Sequence, residues 1–252
     1  KTIVIGDPHA LPGKHNDRAE WIGKFIYDEK PDLVVNIGDL ADMPSLCSYD
    51  KGKRSYNGRS YEADINAAKD FNDRMWWPYK KNKKKKPRAV ILEGNHEQRI
   101  ERTLDQHPEL EGTVSFQDLD YDRYYDEVVR YDGQTPGVFE DNGIYYAHYF
   151  ASGAMGRAIG GEHMAYSLIT KKFISCTAGH DHRFDYCIRT RADGSRMMGL
   201  VCGTAMDYEC DWVGQAGEGW WSGVCVKDNV ENGTYDLRCV SMAALEKEYK
   251  EK

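Results

Sequence analysis

The sequence predicts an α/β protein in which parallel strands are covered by helices, and three observations support this fold class. Short apolar runs rich in β-branched residues, typical of buried parallel strands, recur between residues 2 and 178. Segments with apolar residues at helical spacing separate these runs. Each run ends in glycine or a polar cluster, and ligands bind at the carboxyl ends of strands in such sheets. The length suits one domain over residues 1–252.

The first predicted unit is a strand, a helix and a second strand. Thr2–Ile5 and Val34–Ile37 are the strands, and the second stops at a glycine that permits a tight turn. Asp17–Glu20 has the spacing of a capping box for a helix that reaches about Lys30. These elements form a βαβ unit, whose crossover should be right-handed.

A long insertion, at about residues 44–87, precedes the third strand. Residues 48–60 have the composition of a loop, and Glu62–Trp77 is expected to be a helix that Pro78 ends. Lys80–Lys86 then contains six lysines. A solvated connector is the simpler interpretation of these lysines, and a contact with a phosphate backbone is the alternative. Because inserted loops shape substrate choice, we expect the insertion to be a specificity segment.

The rest of the chain predicts two further covered strands and a β-rich end. Arg88–Leu92 and Phe173–Ala178 are the strands, whereas the periodicity of residues 111–136 does not decide between helix and strand. Three helices are expected, from Gly94 through Leu104, over Glu162–Lys172 and, at the end of the chain, over Ala243–Lys252. A hairpin is expected over Gly137–Phe150, with its turn at residues 141–143. Strands are expected near residues 183–190, 197–203, 223–227 and 234–240, with a rim loop over Tyr208–Trp221 that includes Trp212.

Composition excludes several classes of protein. The chain carries 34 basic and 41 acidic side chains, a net charge of -7, which argues against coating nucleic acid by charge alone, although a local basic patch is compatible with it. Seven cysteines without a CxxC pair favour buried free thiols over a disulfide framework. No apolar stretch could span a bilayer, none resembles a signal peptide, and the chain opens on a strand, so we expect a cytoplasmic protein.

Clusters of Asp, Asn and His follow five predicted strands. The clusters are Asp7 with His9, Asp39 with Asp42, Asn95 with His96, His148, and His180 with His182. A sheet that aligns the strands would gather these side chains at one edge. Mixed oxygen and imidazole donors suit two divalent transition ions better than a closed structural zinc site, which favours cysteines. If these clusters arose only because the loops after strands are generally polar, they would contain many kinds of polar residue instead of Asp, Asn and His alone.

The five clusters together resemble the calcineurin-like metallophosphoesterase superfamily. The motifs are DxH (Asp7, His9), GDxxD (Gly38, Asp39, Asp42), GNHE (Gly94–Glu97), a lone histidine after a strand (His148) and GHxH (Gly179–His182). Each motif alone is weak, but all five occur in the family's order. The resemblance implies a four-layer α/β/β/α sandwich of two mixed β-sheets flanked by helices.

The resemblance also implies a dinuclear metal site. Carried over motif by motif, one ion is held by Asp7, His9 and His182, the other by Asn95, His148 and His180, and both by Asp39. Two ions ~3.5–4 Å apart would clamp the attacking and leaving oxygens of a phosphoryl transfer. A hydroxide held between them would be the nucleophile, because metals lower the pKa of bound water. Manganese is the expected metal, with iron, zinc, magnesium and nickel as alternatives.

Three further residues receive roles. By similarity, His96 is the general acid that protonates the leaving oxygen, and Asp42 orients its ring; neither is expected to bind metal. Arg99, one turn from Asn95, is a candidate substrate-binding residue, although a surface arginine is the alternative. Asp181 should point away from the two histidines beside it on an extended segment, in a structural or supporting role.

The expected function is hydrolysis of a phosphodiester in a nucleotide or nucleic acid, which makes the protein a candidate nuclease. A phosphomonoesterase or protein phosphatase is the first alternative. The Arg-Gly that follows GDxxD in serine/threonine protein phosphatases is replaced here by Met43-Pro44, which weakens the protein-phosphatase alternative. A non-catalytic metal-binding scaffold is the second alternative, although such a scaffold would not need His96 as a proton donor. The substrate, the native metals and the oligomeric state stay open.

Overall fold

The computed structural model describes residues 1–210 and 213–251, so Trp212 of the predicted rim loop and Lys252 of the predicted terminal helix lie outside the described residues. The strands are β1 (Thr2–Ile5), β2 (Leu33–Asn36), β3 (Arg88–Leu92), β4 (Glu127–Val129), β5 (Phe139–Asp141), β6 (Ile144–Ala147), β7 (Ala151–Ser152), β8 (Arg157–Ala158), β9 (Ser175–Ala178), β10 (Phe184–Thr190), β11 (Arg196–Cys202), β12 (Gly223–Glu231) and β13 (Thr234–Ser241). The helices are α1 (Asp17–Glu29), α2 (Tyr61–Lys81), α3 (Arg99–Gln106), α4 (Tyr121–Tyr124), α5 (Met164–Lys172) and α6 (Met242–Tyr249).

Sheet 1 contains six strands in the order β13-β12-β1-β2-β3-β4. β1 to β4 run parallel, while β12 pairs antiparallel with β1 and β13 antiparallel with β12. Every residue of β1 and β2 is buried, as their continuous apolar sequences predict for strands covered on both faces. The carboxyl ends of β1, β2 and β3 therefore lie side by side at one edge.

Sheet 2 contains five strands in the order β10-β11-β9-β6-β5. β6, β9 and β11 run parallel, and β5 and β10 add antiparallel edges. The predicted hairpin is present between β5 and β6, and Asn142 and Gly143 take the left-handed backbone conformation that its turn requires. The polar residues that follow β6 and β9 thus emerge together from this sheet.

The two sheets pack face to face, with helices on both outer surfaces. Val4 and Val35 of sheet 1 lie in one buried cluster with Leu200 of sheet 2. α1, α2 and α6 cover the outer face of sheet 1, and α5 covers that of sheet 2 through Leu168 and Ile169. Alternate residues of each strand point into different layers, as strand geometry requires. The predicted four-layer sandwich is confirmed.

The prediction that Pro78 ends the second helix is wrong. α2 begins after Ser60, which caps it, and continues through Pro78 to Lys81. A proline removes one backbone hydrogen bond from a helix, which destabilises the turn that contains it. Here tertiary contacts hold the turn, because Tyr79 is buried and its hydroxyl donates to Ile26 O at 3.2 Å.

Two other helix starts differ from the prediction. α1 begins at Asp17, so this residue is not the cap; Asn16 precedes it and donates to Ala67 O at 3.0 Å instead of capping. α3 begins at Arg99 instead of Gly94, because the intervening residues form turns around the side chain of Glu97. The undecided stretch 111–136 contains α4 and the fourth parallel strand, β4.

The lysine-rich run lies at the amino-terminal end of β3, at the opposite end of this strand from the GNHE motif. Lys86 forms an ion pair of 2.7 Å with Asp126. In the described part of the chain, four buried cysteines are free thiols, namely Cys47, Cys176, Cys202 and Cys225, as are the less buried Cys187 and Cys239. None of the helices in the described part of the chain has both the length and the apolar character needed to cross a membrane.

Candidate metal centre

Five strand ends, three from sheet 1 and two from sheet 2, bring the predicted ligands together. We call the following set the candidate metal centre: Asp7, His9, Asp39, Asn95, His148, His180 and His182. The loop after β9 joins the loop after β6 where Gly179 N donates to His148 O at 3.0 Å. A Cβ on Gly179 would lie 2.5 Å from Asp7 Oδ1, so only glycine permits this approach of the two sheets.

Several members of the candidate metal centre have strained backbones. The φ angles are 25° for Asp7, 45° for His9, 50° for Asp39, 67° for His180 and 64° for His182. L-residues rarely adopt positive φ, and each such residue costs about 1–3 kcal/mol, which the surrounding structure must outweigh. Strain of this kind clusters at functional sites, because the backbone there is shaped to aim side chains.

Asp39 lies between two groups of potential ligands. Its Oδ2 is 3.3 Å from His148 Nε2 and 3.9 Å from His9 Nε2. One group is His9, Asp39 and His96, the other is Asp39, His148 and His180, and within each group the ligand atoms all lie within 4.8 Å of one another. A carboxylate that belongs to both groups is placed where a bridging ligand would be.

The first side of the candidate metal centre contains Asp7, His9 and His182. His182 Nε2 lies 3.0 Å from His9 Nε2 and 3.3 Å from Asp7 Oδ2. Asp7 Oδ1 is buried, and among the described residues none donates a hydrogen bond to it. Burial raises the pKa of Asp7 to about 7. Two ring nitrogens that converge beside a buried carboxylate are a donor set that fits a bound cation.

The second side contains Asn95, His148 and His180. His148 Nε2 lies 2.9 Å from Asn95 Oδ1, and the rings of His148 and His180 are 5.1 Å apart between centroids. The other nitrogen of His148, Nδ1, lies 3.2 Å from Ile37 O. A backbone carbonyl at this distance fixes a ring so that the opposite nitrogen faces the ligand.

Protonation of these histidines follows their surroundings. Burial lowers the pKa of His180 to about 4 and that of His182 to about 2, so both rings are neutral at pH 7 and can donate lone pairs. Burial also opposes protonation of His148, but the carboxylates of Asp39 and Asp7 outweigh it and raise its pKa to about 9. Metal binding here would therefore release a proton.

Asp42 contacts two histidines instead of the one predicted. His96 Nδ1 lies 2.7 Å from Asp42 O and 3.2 Å from Asp42 Oδ1, and His9 Nδ1 lies 2.8 Å from the same Oδ1. Although burial opposes ionisation, hydrogen bonds from His9 and His96 hold the pKa of Asp42 well below its usual range. Asp42 thus orients a ring of the candidate metal centre as well as the ring of His96.

Arg99 faces the site from the first turn of α3. Its Nη2 lies 3.1 Å from His96 Nε2, and its Nη1 donates to Asp42 O at 2.8 Å and to Met43 O at 3.2 Å. The guanidinium group therefore occupies the space beside Met43, the position where the serine/threonine protein phosphatases carry an arginine. This placement distinguishes Arg99 from an ordinary surface arginine of a helix.

Glu97 is a site residue to which sequence reasoning assigned no role. Its side chain is fully buried. Oε1 accepts hydrogen bonds from Ala41 N at 2.9 Å and from the Tyr121 hydroxyl at 3.0 Å, while Oε2 accepts from Asp39 N and from Gly94 N, both at 3.0 Å. Glu97 thus ties the loop after β2 to the loop after β3. Its place in GNHE was the only sequence signal.

Arg18 is the second residue that the sequence analysis missed. Its buried guanidinium donates to Pro8 O at 2.9 Å and to His9 O at 3.1 Å, and it pairs with Asp207 at 3.2 Å. The Tyr208 hydroxyl donates to the same His9 carbonyl at 2.6 Å. Arg18 lies on the apolar stripe of α1, and a charged residue on such a stripe was the available signal.

A cleft of 240 Å³ opens over the candidate metal centre. Its apolar and aromatic wall is formed by Leu11, Met206, Tyr208 and Trp220. The Trp220 ring packs edge to face on His182, 4.3 Å between centroids. Of the described residues that line this cleft, none is a lysine or an arginine. Asp181 also lines it, and its carboxylate pairs with Arg183.

Comparison with known families agrees with this geometry. None of the curated proteins compared with the chain is similar enough to count as a relative. The family model described as calcineurin-like phosphoesterase matches residues 1–189, three-quarters of the 252 residues. This match covers all five strand ends that meet at the cleft. The chain is therefore a member of the calcineurin-like phosphoesterase family, whose activity is the metal-dependent hydrolysis of phosphate esters.

Proposed function

We propose that this protein hydrolyses phosphodiesters, in a nucleotide or a nucleic acid, with two divalent metal ions. The proposal of a diester instead of a monoester rests on which residues line the cleft. A monoester dianion is best held by several fixed cations, whereas no lysine or arginine is among the described residues that line this cleft, and Arg99 meets its edge at His96 Nε2. Leu11, Met206, Tyr208 and Trp220 instead offer an apolar surface on which the second ester substituent would pack.

The ligand assignment rests on the contacts within the candidate metal centre. Asp7, His9 and His182 would hold one ion, Asn95, His148 and His180 the other, and Asp39 both. Two divalent ions, manganese in this proposal, would supply a deprotonated water and neutralise charge on the phosphate. The neutral rings of His180 and His182 and the unsatisfied Asp7 Oδ1 support this set.

His96 is the proposed proton donor to the leaving oxygen. Burial opposes its protonation, but Asp39 and Asp42 outweigh burial and raise its pKa, so the ring holds a proton more readily than a free histidine. Asp42 fixes the ring through Nδ1, and Nε2, the nitrogen that would donate the proton, lies 3.1 Å from Arg99 Nη2. Because both groups are donors, Arg99 would turn to the phosphate when Nε2 protonates the leaving oxygen. His96 also lies within reach of Asp39, with Nε2 and Oδ2 separated by 3.9 Å.

Arg99 is the proposed phosphate-binding side chain. Its guanidinium donates to two backbone carbonyls and also lies 3.1 Å from His96 Nε2. Since no acidic side chain in the described part of the chain pairs with it, its charge is available to a phosphoryl oxygen. Within the proposed specificity segment 44–87, the part beside Arg99 is Leu46 to Lys51. Specificity is therefore assigned to this part, and the distant Lys80–Lys86 run keeps the role of a solvated connector.

Hydrolysis of two synthetic esters tests the proposed function. Chelator-stripped protein, refilled with manganese, is given bis(p-nitrophenyl) phosphate or p-nitrophenyl phosphate. We expect metal-dependent diester turnover that collapses in Asn95→Ala and His96→Ala and persists in His163→Ala, a matched exposed histidine at the start of α5.

Two other outcomes would contradict the proposal. Preferential turnover of the monoester would identify a phosphomonoesterase. A protein that binds two ions per chain, as measured by calorimetry, and hydrolyses neither ester would be a metal-binding scaffold.

A further inference from the structure

A small basic recess is lined in part by Arg99, whose guanidinium contacts His96. We call it the α3 recess; it is lined by Leu46, Ser48, Tyr49, Lys51, Arg99, Arg102, Thr103 and Gln106. The four members from α3 lie at positions i, i+3, i+4 and i+7 and therefore share one face of this helix. Its volume of 40 Å³ suits the oxygens of an anionic group and is too small for a nucleobase.

The charge of the α3 recess is positive. No carboxylate lines it, and in the described part of the chain Lys51, Arg99 and Arg102 form no ion pair with an acidic side chain. Asp50, which precedes Lys51, is engaged by Lys53 and Arg59, both at 2.9 Å. Glu101, which precedes Arg102, pairs with Arg130 at 2.7 Å. Three cations without acidic partners are a local exception in a chain whose net charge is -7.

Arg99 connects the α3 recess to the reacting groups. Its Nη2 lies 3.1 Å from His96 Nε2, and Arg102 follows about 4.5 Å further along the helix axis. In the proposed function, His96 protonates the leaving oxygen. The α3 recess is therefore next to the leaving group, at a distance of roughly one helical turn.

We propose that the α3 recess binds a second phosphate, carried by the leaving group of the substrate. This inference rests on the proposed function and narrows its substrate to a diester with a further phosphate on the leaving side, as in an oligonucleotide. The guanidinium of Arg102 and the ammonium of Lys51 match phosphate oxygens, and the hydroxyls of Ser48 and Thr103 add neutral donors. Tyr49, 82% exposed at the rim, offers a ring on which a base can stack.

Three thymidine dinucleotides test this inference. The manganese-loaded enzyme is given TpT, pTpT and TpTp, which differ only in a terminal phosphate. We expect one of the two phosphorylated forms to be hydrolysed with a kcat/KM about tenfold above that of TpT, the effect of charge-assisted hydrogen bonds at a partly exposed site. In Arg102→Gln and in Lys51→Gln, the kcat/KM of the preferred phosphorylated dinucleotide divided by that of TpT should fall towards one. Arg196→Gln, an exposed arginine on β11, should keep the wild-type ratio.

Each remaining outcome would overturn the inference. If wild-type enzyme cleaves TpT as efficiently as both phosphorylated forms, the α3 recess binds no second phosphate. If the preference exists but survives in both variants, another part of the surface provides it. Failure of the proposed function looks different, because none of the three dinucleotides would then be hydrolysed, and the inference would fall with it.

Discussion

Replacing Glu97 with glutamine should destabilise both the fold and the candidate metal centre. The two carboxylate oxygens accept four hydrogen bonds at 2.9 to 3.0 Å, from three backbone N–H groups and one tyrosine. Glutamine keeps one acceptor oxygen, and its NH₂ group would face two donors. Since a hydrogen bond to a charged group contributes about 1.5–3 kcal/mol, losing two should lower the free energy of unfolding by about 3–6 kcal/mol.

Denaturant titration measures this loss, and calorimetric titration with manganese measures its effect on the site. We expect weaker metal binding, because Asp39 N is one of the groups that Glu97 holds. Tyr121→Phe removes only one of the four donors and should cost about 1 kcal/mol. Glu101→Gln is the matched control: its carboxylate pairs with Arg130 at the surface, and such pairs contribute about 0–1 kcal/mol. The reasoning is refuted if Glu97→Gln is no less stable than Glu101→Gln.

Three further predictions concern the supports of the site. In Gly94→Ala, the new Cβ would overlap the backbone nitrogen and Oδ1 of Asp39, so the rate of diester hydrolysis should fall by about 100-fold or more. Gly160→Ala, in which the new Cβ meets open space, should hydrolyse the diester at the wild-type rate. Equal rates for the two variants would exclude this steric role of Gly94. Arg18→Lys cannot replace the forked donation to two carbonyls and should lower the free energy of unfolding by about 2 kcal/mol, as measured in urea; an unchanged midpoint would contradict this. Burial raises the pKa of Asp64 to about 6, so its carboxyl favours folding below about pH 4 and this contribution is lost as the pH rises through 6. Asp64→Asn should therefore gain stability relative to wild type between pH 4 and 7, by up to about 3 kcal/mol, and a difference that does not change with pH would disprove the assignment.

Local sequence was enough to predict the strands and the side chains gathered at their ends. β1, β2 and β3 are short apolar runs that stop at polar residues, and each signal lies within ten residues of the chain. Parallel alignment then places Asp7 and Asp39 together without further information. The gathering of these ligands therefore depends on local patterns and one general rule of α/β sheets.

The supporting residues depend on contacts between distant segments and could not be predicted in the same way. Glu97 and Arg18 act on backbone groups of loops that only the folded chain brings to them. The continuation of α2 past Pro78 has the same origin, because burial of Tyr79 outweighs the proline's cost in the last turn. The second contact of Asp42, with His9, likewise depends on how two loops meet.

The two-sheet origin of the candidate metal centre has a consequence for the unfolding of the protein. Asp7, Asp39 and Asn95 follow strands of one sheet, while His148 and His182 follow strands of the other. Bound ions would act as a cross-link between the layers, and the sheets could not slide apart without breaking ligand bonds. Thermal stability would then rise with the logarithm of free metal concentration above the dissociation constant. The packing between the sheets would in turn set the spacing of the two ions.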